Sequence, residues 1–247
     1  MDATAEAPTE TFKRIFLPEL LVVLMGDEKG KGYLLANLLS RFFPAQNVTL
    51  IMVVVFSYFS PTGTGMYLTP AQCLLIGTVT MVLVPGLPLA YALWKGLISF
   101  NRSGRRERVV FYLIGLLGYL SASLIFTYYR SDPMAALSLS YLFVALACML
   151  INFKWKISVH TAGIGGPAAA LVYVYGLAGL PALVLAAALA WARVKLKAHT
   201  TAQAVAGAIV AAAVTLPVYL AFYPVHDPLF LISTSLYRMV NLLTHPA

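Results

Sequence analysis

A short charged stretch between two long apolar runs holds the residue types that could do chemistry. The segment RVKLKAHTTAQAVAG, residues 193–207, concentrates three cations and a histidine in its first seven residues. Arg193 is followed by five residues and His199, and then by three residues and Gln203. An arginine can hold phosphate oxygens in a bidentate manner, and an imidazole can act as a nucleophile or transfer a proton. The pattern indicates chemistry on an anion.

Two other segments also concentrate cationic and polar side chains. KGLISFNRSGRRER covers residues 95–108, and KWKISVHTAGIGG covers residues 154–166 with Ser158 and His160. The three segments contain many cations but only one carboxylate, Glu107. This balance favours a multiply charged anion such as phosphate, which Arg forks bind and Lys point charges attract. A helix beginning near His160 would also direct its free N–H groups at the anion.

The elements that must position these residues are predicted to be membrane-spanning helices. Of the 247 residues, 60% are hydrophobic and 11% are charged, too apolar for a soluble core of this size. Without strand-like alternation, the composition predicts an all-α polytopic bundle of about six to seven spans. The spans are expected at about 47–60, 71–94, 109–129, 133–152, 161–178, 180–193 and 202–222.

Three regions are predicted along the chain. Residues 1–45 form a polar tail with an interfacial amphipathic helix at about 12–25, 46–225 form the membrane domain, and 226–247 form a C-terminal amphipathic tail. The only turn signal between the fifth and sixth spans is GLAGLP at 176–181, which predicts a tight hairpin. Cys73 and Cys148 lie within apolar segments and are interpreted as buried core residues.

Alternating the spans places the three basic segments on one face. Nearly every Lys and Arg then lies on that face, whereas the other face keeps Arg130 beside Asp132. The positive-inside rule makes the basic face cytoplasmic, and we interpret the chain as a multi-pass protein of a prokaryotic cytoplasmic membrane. A phosphate-binding site on this face would also concentrate Lys and Arg there, and this weakens the charge bias as evidence for the topology.

The histidine-bearing segments resemble motifs of a known family. SVHTAGIGG followed by R-x5-H-x3-Q is similar to the second and third motifs of the type 2 phosphatidic acid phosphatase superfamily, usually written PSGH and SR-x5-H-x3-D. Ser158 and His160 fall on the second motif, and Arg193 and His199 on the third. The resemblance covers about residues 71–222 and implies a phosphatase-like core. It also implies a site on the outer side of the membrane, whereas the charge bias favours the cytoplasmic side.

The first motif of that family, K-x6-RP, is fitted by Lys95 and Arg102, with Ser103 in place of the proline. The same loop is so basic that another cation could serve instead, and the alternatives are Arg105, Arg106 and Arg108.

The chain departs from the family pattern most seriously at Gln203, which occupies the aspartate position of the third motif. Val159 and Ile157 also replace the glycine and proline of PSGH, and Ala192 replaces the serine before the arginine. The family aspartate orients the nucleophilic imidazole and supports its charge, whereas an amide supplies no charge. In a serine-protease triad, exchanging the orienting Asp for Asn lowers turnover about 10⁴-fold.

The resemblance implies a two-step phosphoryl transfer. His199 would attack phosphorus, and His160 would protonate the departing alcohol and then help to activate water. Arg193 and Ser158 would hold the phosphate oxygens together with Lys95 and Arg102, and Gln203 would orient His199. The substrate would be a lipid or polyprenyl phosphate arriving from the bilayer, and no metal or other cofactor is expected.

Two alternatives remain open on the sequence. A lipid phosphotransferase of the same superfamily would use the same residues with an alcohol as acceptor. A catalytically weakened homologue would bind lipid phosphate or pack in a membrane-protein complex or homo-oligomer. Membrane lipids are expected partners and nucleic acid is not. Individually, Lys195 and Lys197 are typical of span-end cations that reach the interface.

Overall fold

The computed structural model describes residues 30–95 and 105–223, and every regular element within these ranges is a helix. The predicted interfacial helix at 12–25 and the tail at 226–247 lie outside the described residues. The helices are α1 Gly30–Phe42, α2 Ala45–Tyr58, α3 Pro70–Gly77, α4 Val84–Trp94, α5 Arg105–Tyr128, α6 Asp132–Asn152, α7 Val159–Tyr175, α8 Leu180–Lys195 and α9 Thr201–Phe222. A π-helical segment, Thr78–Leu83, joins α3 to α4, and a 3₁₀ turn, Gly176–Gly179, joins α7 to α8.

The all-α membrane bundle is confirmed. Five helical stretches of the described chain are long and apolar enough to cross a membrane, or six when the bent pair α1 and α2 counts as one span. They are Pro70–Ala92, Val109–Tyr128, Asp132–Asn152, Val159–Lys195 and Thr201–Phe222. The chain is therefore a multi-pass membrane protein built from helices.

The stretch Val159–Lys195 is a hairpin, as the turn signal predicted. Gly176 has a φ of +58°, which lets the chain reverse directly after α7. A Cβ at Gly179 would lie 2.4 Å from the carbonyl carbon of Leu171, so the start of α8 returns against the end of α7. The start of α7 and the end of α8 consequently lie at the same end of the bundle.

The first predicted span differs from the structure. The helix at this position, α2, has only 14 residues, too short to cross a bilayer alone. The preceding helix α1 was not predicted, and it is bent by 55° from α2 at Pro44, where proline starts a new helix. Gly32 of α1 lies against Lys195 and Trp191 of α8, so packing on α8 holds this short helix.

Small residues bring α7 and α9 into close contact. A Cβ at Gly165 would lie 2.6 Å from Cα of Ala208, and one at Gly207 would lie 2.4 Å from Oγ1 of Thr161. A Cβ at Gly207 would also lie 2.5 Å from the carbonyl oxygen of Ser158, so at both glycines the helix backbone approaches the neighbouring backbone closely, as small residues allow in membrane helices. The beginnings of α7 and α9 therefore lie side by side, and so do the second and third motifs.

Candidate functional site

The turn between α8 and α9 determines where the third-motif residues lie. The Ala198 N–H donates to the Arg193 carbonyl, and the Lys197 N–H donates to the Val194 carbonyl. Lys197 has a φ of +54°. These features form a Schellman motif, in which a left-handed residue ends a helix and satisfies its last carbonyl groups.

The same turn explains the spacing between Arg193 and His199. The Arg193 carbonyl also accepts the His199 N–H at 3.3 Å, so the histidine backbone folds back onto the last turn of α8. Arg193 is 3% exposed and His199 is 8% exposed, although both lie at the end of a membrane helix. Five intervening residues are what this turn requires to bring the two side chains into one buried site.

Gln203 has two tasks in the structure. Its Oε1 accepts the Thr200 N–H at 3.1 Å, and its own N–H donates to Thr200 Oγ1 at 3.3 Å, which completes a capping box at the start of α9. The same Oε1 lies 3.3 Å from Nδ1 of His199. Because a backbone N–H can only donate, this atom must be the amide oxygen, and His199 Nδ1 must carry the proton. In neutral His199 the lone pair is then on Nε2.

The second motif opens α7. Ser158 is fully buried and is the N-cap residue of α7, where its Oγ accepts the Thr161 N–H at 3.4 Å. The structure therefore gives Ser158 a capping role, and it is not among the residues that line the cavity described below. His160 lies in the first turn of α7 and its Nε2 is buried.

His160, Arg193 and His199 line one cavity of about 210 Å³. The opposite walls come from α4, α5 and α6, and their side chains are mostly apolar or aromatic. These walls include Leu89, Phe111, Tyr112, Tyr119, Tyr141, Val144 and Cys148. The cavity is thus cationic at the helix ends that carry Arg193 and the two histidines, and apolar towards the bundle interior.

The first-motif residues are not brought to this cavity in the described chain. Lys95 is exposed, with its Nζ 4.5 Å from the ring centroid of Trp94, and it does not line the cavity. Arg102 lies outside the described residues. Phosphate binding by Lys95 and Arg102 therefore stays a prediction.

The junction of α1 and α2 forms a wall of the cavity that the sequence analysis missed. Pro44, Ala45 and Gln46 line it, and a Cβ at Gly163 would lie 2.9 Å from Cβ of Ala45. No motif marks these residues, and the one available signal was the proline that separates the two helices. Tyr112, which is buried in α5, was also missed because its segment reads as a uniform apolar span.

No carboxylate is found among the residues that line the cavity. Of the side chains that the structure describes, Asp132 is the only carboxylate, and it begins α6 at the end of the bundle away from the cavity. Within the same ranges, no group of three or more His, Cys, Asp or Glu side chains could hold a metal ion. The described site is therefore positively charged and contains two imidazoles.

Comparisons of the chain with family models, curated proteins and solved structures found no match.

Proposed function

We propose that the chain is a membrane-integral phosphatase that hydrolyses a lipid or polyprenyl phosphate through a phosphohistidine at His199. One observation carries the proposal, which is that His160, Arg193 and His199 come from three different elements and line a single cavity. Convergence of two imidazoles and a buried guanidinium on one cavity is what a metal-independent phosphoryl transfer needs.

His199 has the properties of the nucleophile. Its Nδ1 faces the Gln203 amide oxygen, so the lone pair of the neutral ring is on Nε2. Attack by Nε2 forms the N–P bond while the P–O bond to the lipid alcohol breaks. The ring gains positive charge in this step, and the Gln203 oxygen stabilises that charge only as a dipole.

Arg193 and His160 have complementary positions. Arg193 is buried beside the nucleophile, where a fixed guanidinium stabilises the equatorial oxygens of a transferring phosphoryl group. His160 lies in the first turn of α7, and the free N–H groups there favour an anion. As an imidazolium, His160 would give its proton to the departing alcohol.

The cavity suits an amphiphilic substrate. Its cationic end binds the phosphate, and its apolar walls from α4 to α6 contact the first carbons of the chain. A volume of about 210 Å³ holds a headgroup and a short length of chain, so the rest of a long lipid would stay in the bilayer.

The test is phosphate release by the purified full chain from a panel of lipid and polyprenyl phosphates, without added metal. We expect His199→Ala to lower release by about 10³-fold or more, since loss of a nucleophile removes the covalent route. The control is Lys195→Ala, which removes an exposed cation of the same helix and should leave release unchanged. Equal activity of wild type and His199→Ala would contradict the proposal.

Gln203 favours a second candidate, a catalytically weakened protein that binds lipid phosphate. An amide supplies no charge to His199, so binding can persist where transfer is slow. Retention of a labelled lipid phosphate by wild type, with no release of phosphate in water or with an added alcohol, would support this candidate. Release only with the alcohol would instead identify a phosphotransferase.

A further inference from the structure

Gln46 is the only residue with a side-chain amide among the described residues that line the cavity. It is the second residue of α2, directly after the junction with α1. Its side chain is partly buried and makes no hydrogen bond in the described part of the structure. Neither amide atom is fully buried, so both stay accessible. The amide can therefore form new hydrogen bonds with a molecule that enters the cavity.

Contacts on two sides fix the position of Gln46. On one side, the preceding residue packs on α7, because a Cβ at Gly163 would lie 2.9 Å from the Cβ of Ala45. On the other side, a Cβ at Gly86 of α4 would lie 3.4 Å from Cγ of Gln46. Gln46 is thus located between the α4 wall and the α7 wall of the cavity.

Gln46 lies deeper in the bundle than the start of α7. Gly163 follows His160 by three positions, which is a rise of about 4.5 Å into the bundle. Because Ala45 packs on Gly163, the neighbouring Gln46 lies about one helical turn inward from His160. A lipid whose phosphate is held by the histidines and Arg193 would therefore bring the first carbons of its alcohol to Gln46.

The surroundings of Gln46 determine which chain fits there. The lining residues Pro85, Leu89 and Gly163 offer no side-chain donor or acceptor. A plain hydrocarbon chain at this level would take the amide out of contact with water and supply no partner, which costs free energy. A chain with an oxygen substituent would supply one, since the amide NH2 donates to a hydroxyl or an ester carbonyl and Oε1 accepts from a hydroxyl.

We propose that Gln46 selects lipid phosphates that carry a hydroxyl or an ester on the second carbon after the phosphate. This inference rests on the proposed binding of a lipid phosphate beside Arg193 and the histidines, and it narrows the substrate. Phosphates of plain alkyl or isoprenoid chains are then poor ligands. A site that hydrogen-bonds a group of its substrate discriminates against the analogue that lacks the group.

The first experiment measures binding without turnover. Full-length protein with His199→Ala, in detergent micelles, is titrated with three dodecyl phosphates that carry hydrogen, a hydroxyl group or an acetoxy group on the second carbon. We expect at least one of the two oxygen-bearing ligands to bind about tenfold more tightly than the plain one. Gln46→Met in the same background should remove this advantage, because methionine keeps the chain length and lacks the amide.

Two controls separate recognition from damage to the fold. The unfolding temperature of Gln46→Met should equal that of its parent, since no hydrogen bond of the described structure is lost. Leu89→Ala, which changes an apolar wall residue, should weaken the three ligands by a similar factor and keep their ratio. The ligand with the larger gain then identifies a hydroxyl or an ester as the group that Gln46 binds. Equal Kd values for the three ligands, or an advantage that persists in Gln46→Met, would overturn the inference.

Phosphate release from the same three lipids by protein with native His199 tests the proposed function separately. Absence of release, together with a binding preference that Gln46→Met removes, would overturn the phosphatase and keep the selectivity. Release at equal kcat/KM from all three lipids, with equal Kd values, would overturn the selectivity and keep the phosphatase. Absence of binding and of release for all three would overturn both.

Discussion

At the scale of single residues, Gln203 connects folding to the proposed chemistry. One amide oxygen accepts the Thr200 N–H as part of a helix cap and faces His199 Nδ1. The sequence Thr-Thr-Ala-Gln at 200–203 is a recognisable capping-box signal, so this folding role could have been read from the sequence. The contact with His199 could not, because spacing along the chain does not say where an amide oxygen points.

Gln203→Glu should raise turnover about tenfold or more. Glutamate keeps the length of glutamine and is itself a standard capping-box residue, and its charge would stabilise the His199 imidazolium that forms during transfer. The measurement is kcat for phosphate release. Aspartate is one methylene shorter and would reach His199 Nδ1 and Thr200 N–H less well.

Gln72→Glu is a matched control for this change. Gln72 caps α3 through Thr69 in the same way, with the Thr69 N–H donating to its Oε1 at 2.9 Å, but it lies outside the cavity. Gln72→Glu should leave kcat unchanged. Equal effects of the two substitutions would show that Gln203 acts only as a cap.

At the scale of elements, the site depends on helix ends that are held by local hydrogen bonds. The Schellman motif after α8 fixes the backbone of His199, and the Ser158 cap fixes the start of α7. The hairpin was predictable because a glycine-rich turn separates two apolar runs. The helix α1 was not predictable from the sequence. The glycines and charges at 26–32 are typical of a polar link, and the contacts of α1 come from its packing on α8.

Lys197→Val should lower both stability and turnover. Lys197 adopts a φ of +54°, which a β-branched residue tolerates poorly, so we expect a loss of about 1–2 kcal/mol in the free energy of unfolding. Refolding of the turn to relieve this strain would also displace His199. Arg130→Val is the control, because Arg130 has a φ of +51° at the opposite end of the bundle. In thermal unfolding, the two variants should be destabilised equally. In the phosphate-release assay, only Lys197→Val should lose turnover.

Gly165→Ala should destabilise the contact between α7 and α9. The added methyl group would lie 2.6 Å from both Cα and O of Ala208, so the backbones must separate, at a cost of about 1–3 kcal/mol. The measurement is the unfolding temperature in detergent. Gly32→Ala serves as the control, because its nearest neighbour would be the flexible end of Lys195 at 3.8 Å. A similar unfolding temperature for the two variants would contradict close packing at Gly165.

At the scale of the whole molecule, the basic residues and the candidate site lie at the same end of the bundle. In the described ranges, Arg130 is the cation at the end away from the cavity, and it lies near Asp132. Composition predicted the membrane bundle well, because apolar length is a direct property of the sequence. The cavity was less predictable, since its walls at Pro44–Gln46 and Tyr112 depend on how distant helices pack.

Cysteine labelling should show that the end of the bundle that carries the cavity, called the site end, faces the cytoplasm. Both native cysteines are buried, so a new exposed cysteine can be read against a low background. We expect Lys154→Cys, at the site end, to be protected from a membrane-impermeant maleimide in intact cells. Met66→Cys, in a loop at the opposite end where Met66 is 85% exposed, should react. The reverse result would place the site outside the cell and would leave its geometry unchanged.

The shortness of the hairpin has a consequence for the surrounding lipid. With 17 and 16 residues, α7 and α8 each rise only about 25 Å, less than the roughly 30 Å of a typical hydrocarbon core. Local thinning of the bilayer is one of the ways in which a membrane accommodates a hydrophobic segment that is too short to cross it. Lipid headgroups beside the hairpin would then sink towards the midplane, to the level of the cavity. A lipid phosphate would therefore need to travel less far out of its own leaflet to meet Arg193.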